Sequence, residues 1–189
     1  MKQKIVLASG NKNKLREFRE ILTDYEIISC KDMGFDNEIE ENGSTFYENA
    51  LIKAKAVATA LGVPAVSDDS GICVDALDGA PGIYSARYAG DGVDEHNNEL
   101  LLKNLEGEKN RKAKFVSAIV YYSPDGTIKY AEGETHGDIM YAPEGEHGFG
   151  YDPIFFSYDL QKSLGVATAE EKNKISHRYR ALMKLKELL

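Results

Sequence analysis

Between residues 4 and 22 the hydrophobic pattern changes period, and this change constrains the fold more than any other feature of the 189-residue chain. Lys4-Ile5-Val6-Leu7-Ala8 is a short apolar run with strand character. Ser9-Gly10-Asn11 is a turn of small residues, and beyond it Leu15, Phe18, Ile21 and Leu22 fall on one helical face. A strand handed over to an amphipathic helix through a small-residue turn is the opening unit of an α/β domain.

The rest of the chain keeps this alternation. Thr45-x-x-Glu48 reads as a capping box that opens a helix with a buried stripe of Ala50, Ala54, Val57 and Leu61, stopped by Gly62 and Pro64. Ala65-Val66-Ser67 is then a short buried strand leading into Asp68-Asp69-Ser70-Gly71, after which Ile72-Cys73-Val74 resumes extended structure and Ala80-Pro81-Gly82 turns it. Leu100, Leu101 and Leu105 suggest another helix. Residues 114–122 read as a long strand, and Ser123-Pro124-Asp125-Gly126 as a hairpin turn into an antiparallel partner over residues 127–131. The glycine-rich stretch 144–153 cannot be regular throughout, leaves room for a ligand to approach backbone, and reads as a binding loop. A second capping box, Thr168-x-x-Glu171, precedes a break at Ser176 and a last helix with Leu182, Leu185 and Leu189 turned inward. No repeat or linker divides residues 1–189, so one domain is expected, large enough to bury about 70 % of the unfolded surface.

Composition narrows the function. No apolar run approaches the roughly 18 residues that span a bilayer, and the opening apolar stretch is too short for a signal peptide, so no membrane partner and a cytoplasmic location are expected. Cys30 and Cys73 lack the spacing of a zinc site or a disulfide framework and read as packed thiols. The net charge of −8 argues against a nucleic-acid partner, which needs a broad basic face to displace counterions. A small polyanion stays open, provided that lysines gather locally and a divalent cation offsets nearby carboxylates.

Four motifs carry chemistry of that kind. Ser9-Gly10-Asn11-x-x-Lys14 sits at a helix start, where free backbone N–H groups and the helix dipole favour a phosphate; an Asn cap beside a solvated lysine would look the same. Asn49 and Lys53 share a helix face, which makes Lys53 either a fixed cation or one more solvated lysine. The adjacent carboxylates of Asp68 and Asp69 repel each other at the end of a buried strand unless a hard cation offsets both, and Glu40-Glu41-Asn42-Gly43 offers a further oxygen ligand; a strand-end turn with an Asx cap is the plain alternative. Lys172 and Ser176-His177-Arg178 place basic groups at a helix start against the local dipole, a cost that a bound anion, a base carbonyl or a neighbouring carboxylate would relieve.

Taken in order, Ser9-Gly10-Asn11-x-x-Lys14, residues 40–50, Asp68-Asp69-Ser70-Gly71, Pro81-Gly82-x-x-Ser85-Ala86-Arg87, Phe149-Gly150-Tyr151-Asp152-Pro153 and Ser176-His177-Arg178 closely resemble the inosine triphosphate pyrophosphatase family over essentially the whole chain. The resemblance implies an α/β fold with a long, bent, mixed β-sheet and helices forming two lobes around a central cleft, in a homodimer. It implies Mg²⁺-dependent hydrolysis of ITP, dITP or XTP to the monophosphate and pyrophosphate. It also implies roles: Ser9, Gly10, Asn11, Lys12, Asn13, Lys14, Lys53, Ser70 and Lys172 for the triphosphate, Glu40 and Asp69 for Mg²⁺, and Asp69 as proton acceptor for the attacking water. Phe149, Gly150, Tyr151 and Asp152, with His177 and Arg178, would form the base pocket, Phe149 or Tyr151 stacking and Arg178 donating to a 6-oxo group. Two other readings stand beside it: a pyrophosphatase for modified pyrimidine or canonical nucleotides, and a non-hydrolysing purine nucleotide sensor, which would need a defective metal site.

Overall fold

The apolar runs form a seven-stranded mixed sheet of order β2-β1-β3-β4-β5-β6-β7. The computed structural model describes residues 2–189. The strands are β1 (Gln3–Leu7), β2 (Tyr25–Ser29), β3 (Ala65–Val74), β4 (Lys112–Tyr122), β5 (Ile128–Ile139), β6 (Phe155–Ser157) and β7 (Lys162–Ser163). The helices are α1 (Lys12–Ile21), α2 (Phe46–Leu61), α3 (Asp94–Asn104), α4 (Ala169–Lys172) and α5 (His177–Leu188). β1 runs parallel to both β2 and β3, as strands joined by crossover helices do, whereas β6 is antiparallel to β5 and β7. Among the described residues no helix is long and apolar enough to cross a membrane.

The chain divides into two compact units. The first comprises residues 1–69, 117–133 and 178–189, and the second residues 70–116 and 134–177, so β3, β4 and β5 give residues to both. In the first unit the two-residue alternation of the strands sorts side chains between two helical layers. Ile5, Leu7, Val66 and Ile119 pack with Phe18 of α1, with Leu22 at its C-terminal cap, and with Leu182 and Leu185 of α5. The intervening residues Val6, Ala8 and Ala65 pack instead with Val57 and Ala58 of α2, and Val120 with Ala50 and Ala54. In the second unit Ile72, Val74, Leu101, Leu105, Phe115, Tyr151, Ile154 and Phe155 share one core.

Most helix ends follow the expected chemistry. Asn11 caps α1, its side chain accepting from the N–H groups of Asn13 and Lys14. Thr168 and Glu171 form the expected capping box on α4. At α2 only half of the box closes: Thr45 Oγ1 accepts from Glu48 N–H at 3.1 Å, but the Glu48 carboxylate takes the N–H of Ser44, at 2.6 Å, in place of that of Thr45.

One difference bears on function. Asp68-Asp69-Ser70-Gly71 is not a strand end but the middle of the ten-residue strand β3. A fourth polar residue of this strand, Ser67, is accommodated because its hydroxyl donates to the carbonyl of Ala50 in α2. The sequence pattern does not reveal β2 or most of β5, because polar or small residues occupy buried positions: Ser29 in β2, and Gly133, Thr135 and Gly137 in β5, whose burial alternates strictly from Ala131 to Ile139.

Candidate active site

Because β3 runs straight through the acidic pair, Asp68 and Asp69 point to opposite faces of the sheet. Asp68, wholly buried, lies on the α1 and α5 side. Its Oδ1 accepts from Ser117 Oγ at 2.5 Å and its Oδ2 from Arg178 Nε and Nη2 at 3.2 and 2.9 Å, with Lys14 Nζ at 3.1 Å. Glu17 of α1 closes the group with an ion pair to Arg178 Nη1. Burial alone would raise the pKa of Asp68, but Arg178 and Lys14 outweigh it and hold this carboxyl well below the usual range.

Asp69 lies on the α2 side. Its Oδ1 accepts from Lys53 Nζ at 3.2 Å, and the same ammonium reaches Glu41 Oε2 at 2.9 Å. Burial is the leading influence on Asp69 and raises its pKa despite the attraction of Lys53 and Lys14. For Glu41 burial acts in the same sense, but Lys53 outweighs it and the pKa falls. Lys53 itself is raised, since Asp69 and Glu41 overcome its burial. Lys14 is the exception: burial prevails over Asp68, the charges of Lys53 and Arg178 add to it, and its pKa is lowered. An incoming anion would restore what Lys14 lacks.

The two lysines converge on one atom. Lys14 Nζ and Lys53 Nζ each donate to the backbone carbonyl of Asp68 at 3.1 Å. That carbonyl therefore sets the spacing of two ammonium groups that come from different helices. Three cations (Lys14, Lys53, Arg178) meet four carboxylates (Glu17, Glu41, Asp68, Asp69), which leaves the group one negative charge in excess.

The residues fit a divalent cation. Asp69 Oδ2 is buried and has no hydrogen-bond partner, a costly arrangement for a carboxylate oxygen unless a ligand completes it. Glu41 shares Lys53 with it. Among the described residues no three His, Cys, Asp or Glu side chains gather as a metal cage. Two carboxylates, with substrate oxygens and water for the rest, is how Mg²⁺ is ordinarily held.

The loop carrying Glu41 is pinned onto the start of α2. Gly43 N–H donates to Asn49 Oδ1 at 2.8 Å, and a side chain at Gly43 would run into Asn49 and Glu48. This registration turns Glu41 inward and leaves Glu40 exposed. Of the two adjacent glutamates it is therefore Glu41, and not the expected Glu40, that faces Lys53 and Asp69. Asn49, expected to share a groove face with Lys53, is buried and holds this loop. Ser9, Gly10, Asn11, Lys12 and Asn13 form the turn and first residues of α1, with Ser9 Oγ accepting from Asn11 N–H at 3.1 Å and Lys12 exposed.

Arg178, expected at the base, is 1 % exposed and its guanidinium engages Asp68 and Glu17, so carboxylates of the protein already relieve the cost of a cation at the start of α5. Glu17 and Ser117 were not anticipated. The signal for Glu17 lay in its spacing: an acid at i+3 from Lys14, beside Phe18 on the apolar face of α1.

In the second unit Lys172 is buried, with Nζ 2.7 Å from Asp152 Oδ2 and 4.4 Å from the centre of the Phe149 ring. Asp152 Oδ2 also accepts from Phe149 N–H at 3.0 Å, so one carboxylate fixes the loop backbone and the cation on the ring. Tyr151 is not available to stack: it is part of the core and its hydroxyl donates to Ser85 O at 2.7 Å. Phe149, half-buried, is the remaining aromatic of the loop. His177 is buried, stacked on Phe115 with ring centres 5.0 Å apart. Ser70, half-buried, begins this unit directly after Asp69.

The model of the Ham1 family matches residues 5–188. The chain belongs to the Ham1 family. Among its relatives, the dITP/XTP pyrophosphatase of Haemophilus influenzae is 48 % identical, with 100 % of each chain covered. The protein of that name from Bacillus subtilis is 47 % identical, covering 97 % of this chain and 96 % of the relative. Of solved structures, the Staphylococcus aureus Ham1 protein superposes with a TM-score of 0.89 at 44 % identity, covering 98 % of this chain and 97 % of that one. A Coxiella burnetii HAM1 protein gives 0.90 at 40 % identity, with 98 % of each chain covered. The mixed α/β architecture is therefore that of the Ham1 family.

Proposed function

We propose that this chain hydrolyses non-canonical purine nucleoside triphosphates, dITP, XTP and ITP, to the monophosphate and pyrophosphate, with Mg²⁺ held by Asp69 and Glu41. The observation that carries the reading is the pair of lysines meeting on the Asp68 carbonyl beside a buried, unpartnered oxygen of Asp69. Hydrolysis of a phosphoanhydride chiefly requires that charge on the phosphoryl oxygens be neutralised and that a water be aligned with the leaving group.

In the first unit, Lys14 and Lys53 neutralise phosphate oxygens, and the positive end of the α1 dipole adds to them. Asp69 takes the proton of the attacking water; burial lifts its basicity, which suits a proton acceptor. Bound Mg²⁺ would supply charge stabilisation and a lower cost of ionising water. Asp68 is a positioning residue, held by Arg178 and spacing the two lysines. In the second unit, Phe149 stacks on the base, while Ser70 and Lys172 serve the phosphates and Gly150, Asp152 and His177 shape the pocket. The dITP/XTP pyrophosphatase names carried by the relatives support the purine substrate class. The net charge of −8 supports a small anion over a nucleic-acid polymer. We extend the reading to a homodimer that clears such nucleotides from the cytoplasmic pool.

Turnover over a nucleotide panel with Mg²⁺ tests the substrate class. ITP, dITP and XTP are expected to exceed ATP by at least tenfold in kcat/KM. A preference for ATP or a pyrimidine triphosphate would overturn it.

A further inference from the structure

Asp94 and Asn98 lie four residues apart on α3 and so share one face. Asp94 Oδ2 accepts from the N–H of Gly150 at 2.8 Å, and Asn98 Nδ2 donates to the carbonyl of Gly150 at 3.1 Å. Two side chains of a single helix thus hold both polar groups of one glycine. Gly150 has φ of +61°, a left-handed conformation that side-chain-bearing residues rarely adopt, and it lies between Phe149 and the core residue Tyr151. Fixing the Gly150 backbone therefore fixes the direction in which Phe149 leaves the loop.

Asn98 is 7 % exposed, and its Oδ1 is buried without a hydrogen-bond partner. A leucine of similar size would bury there with no unmade acceptor, so packing does not account for the amide. The preceding residue, Asn97, anchors the same helix: its Oδ1 accepts from Ala89 N–H at 2.7 Å and its Nδ2 donates to Ala86 O at 3.2 Å. The grip on Gly150 is thus referred to a fixed helix, not to a second loop.

We propose that Asn98, together with Asp94, is a positioning residue for base recognition, clamping Gly150 so that the Phe149 ring is presented to the purine. The proposal rests on the reading of Phe149 as the stacking residue. Asn98 touches no reacting atom and acts only through the loop, so its loss affects ligands that have a base and spares those that lack one.

The experiment compares Asn98→Leu, Phe149→Ala and the double variant in the full chain, with ITP as substrate and inorganic tripolyphosphate as a base-free competitive inhibitor. Asn98→Leu is expected to raise KM for ITP about tenfold and to leave the tripolyphosphate inhibition constant within twofold. The double variant is expected to be no worse than Phe149→Ala alone, because both changes remove the same interaction. An unchanged KM in Asn98→Leu beside a raised KM in Phe149→Ala overturns the clamp and leaves the stacking reading intact. An unchanged KM in Phe149→Ala overturns the stacking reading and the clamp with it. Equal weakening of ITP and tripolyphosphate by Asn98→Leu, or additive effects in the double variant, makes Asn98 a residue of general structure and overturns the proposal.

Discussion

Replacing each of two neighbouring aspartates by asparagine is expected to have opposite consequences. Asp68→Asn keeps the side-chain size and an oxygen to accept from Ser117, but removes the charge that faces Arg178 Nε and Nη2 at 3.2 and 2.9 Å and Lys14 at 3.1 Å. Breaking a buried ion pair from one side costs about 3–5 kcal/mol. Arg178 retains Glu17, so the lower figure applies, and at about 2–4 °C per kcal/mol for a chain of this size Tm should fall by roughly 6–12 °C. Asp69→Asn removes a carboxylate whose ionised form burial already disfavours, and Lys53 keeps Glu41, so Tm should move by no more than about 3 °C, the equivalent of about 1 kcal/mol. Its turnover of ITP, by contrast, should fall at least about 10²-fold.

Acid sharpens the comparison. The folded pKa of Asp68 lies below its unfolded value of about 3.9, so its stabilisation is complete above that pH and is lost as pH falls toward the folded value. The Tm gap between wild type and Asp68→Asn should accordingly be full at pH 7 and narrow progressively below about pH 4. Thermal denaturation in EDTA from pH 3 to pH 8, with ITP turnover measured on the same preparations, carries the test. A destabilised Asp69→Asn beside an undisturbed Asp68→Asn would refute the assignment of the two carboxylates to opposite faces.

Other expectations follow from the same geometry. Glu41→Gln should raise the Mg²⁺ concentration for half-maximal rate by about tenfold, the low end for loss of a ligand-shell group, whereas Glu40→Gln should change it less than twofold; a Mg²⁺ titration decides between them. Arg178→Ala should lower Tm at least as much as Asp68→Asn while reducing ITP and ATP turnover by the same factor, and a selective gain for ATP would return Arg178 to the base pocket. In the metal-free wild type the Asp69 carboxyl should titrate above the ordinary carboxylate value of about 3.9, because burial disfavours its ionised form, and this titration, followed by NMR, should be missing in Asp69→Asn. The same titration retained in that variant would assign it to another group.

Much of the fold was legible because local signals and burial agreed. The switch from strand to helix across Ser9-Gly10-Asn11, the capping chemistry at Asn11 and Thr168, and the break at Ser176 are all found where the residues place them. What was misread depended on partners distant in sequence. Asp68-Asp69 looked like a repelling pair at a strand end because nothing nearby reveals Ser117, Arg178 and Glu17 waiting on one face and Lys53 on the other. Adjacent glutamates cannot be told apart by type, and the fold, which pins this loop by the Gly43–Asn49 bond, brings Glu41 and not Glu40 to Lys53. Arg178 was offered to a base for a sound electrostatic reason, a cation against the α5 dipole, but the compensating charges come from β3 and α1. Tyr151 and Phe149 are alike in sequence and separated only by the bond from Tyr151 to Ser85.

The central claim is that the lysines and the carboxylates of the first unit act on a triphosphate so that its two terminal phosphates leave together. Product analysis of the first turnover of ITP with Mg²⁺, scoring pyrophosphate and orthophosphate separately, tests it most directly. One pyrophosphate for each IMP formed, without IDP or orthophosphate, is the result expected; IDP with orthophosphate as first products would contradict it.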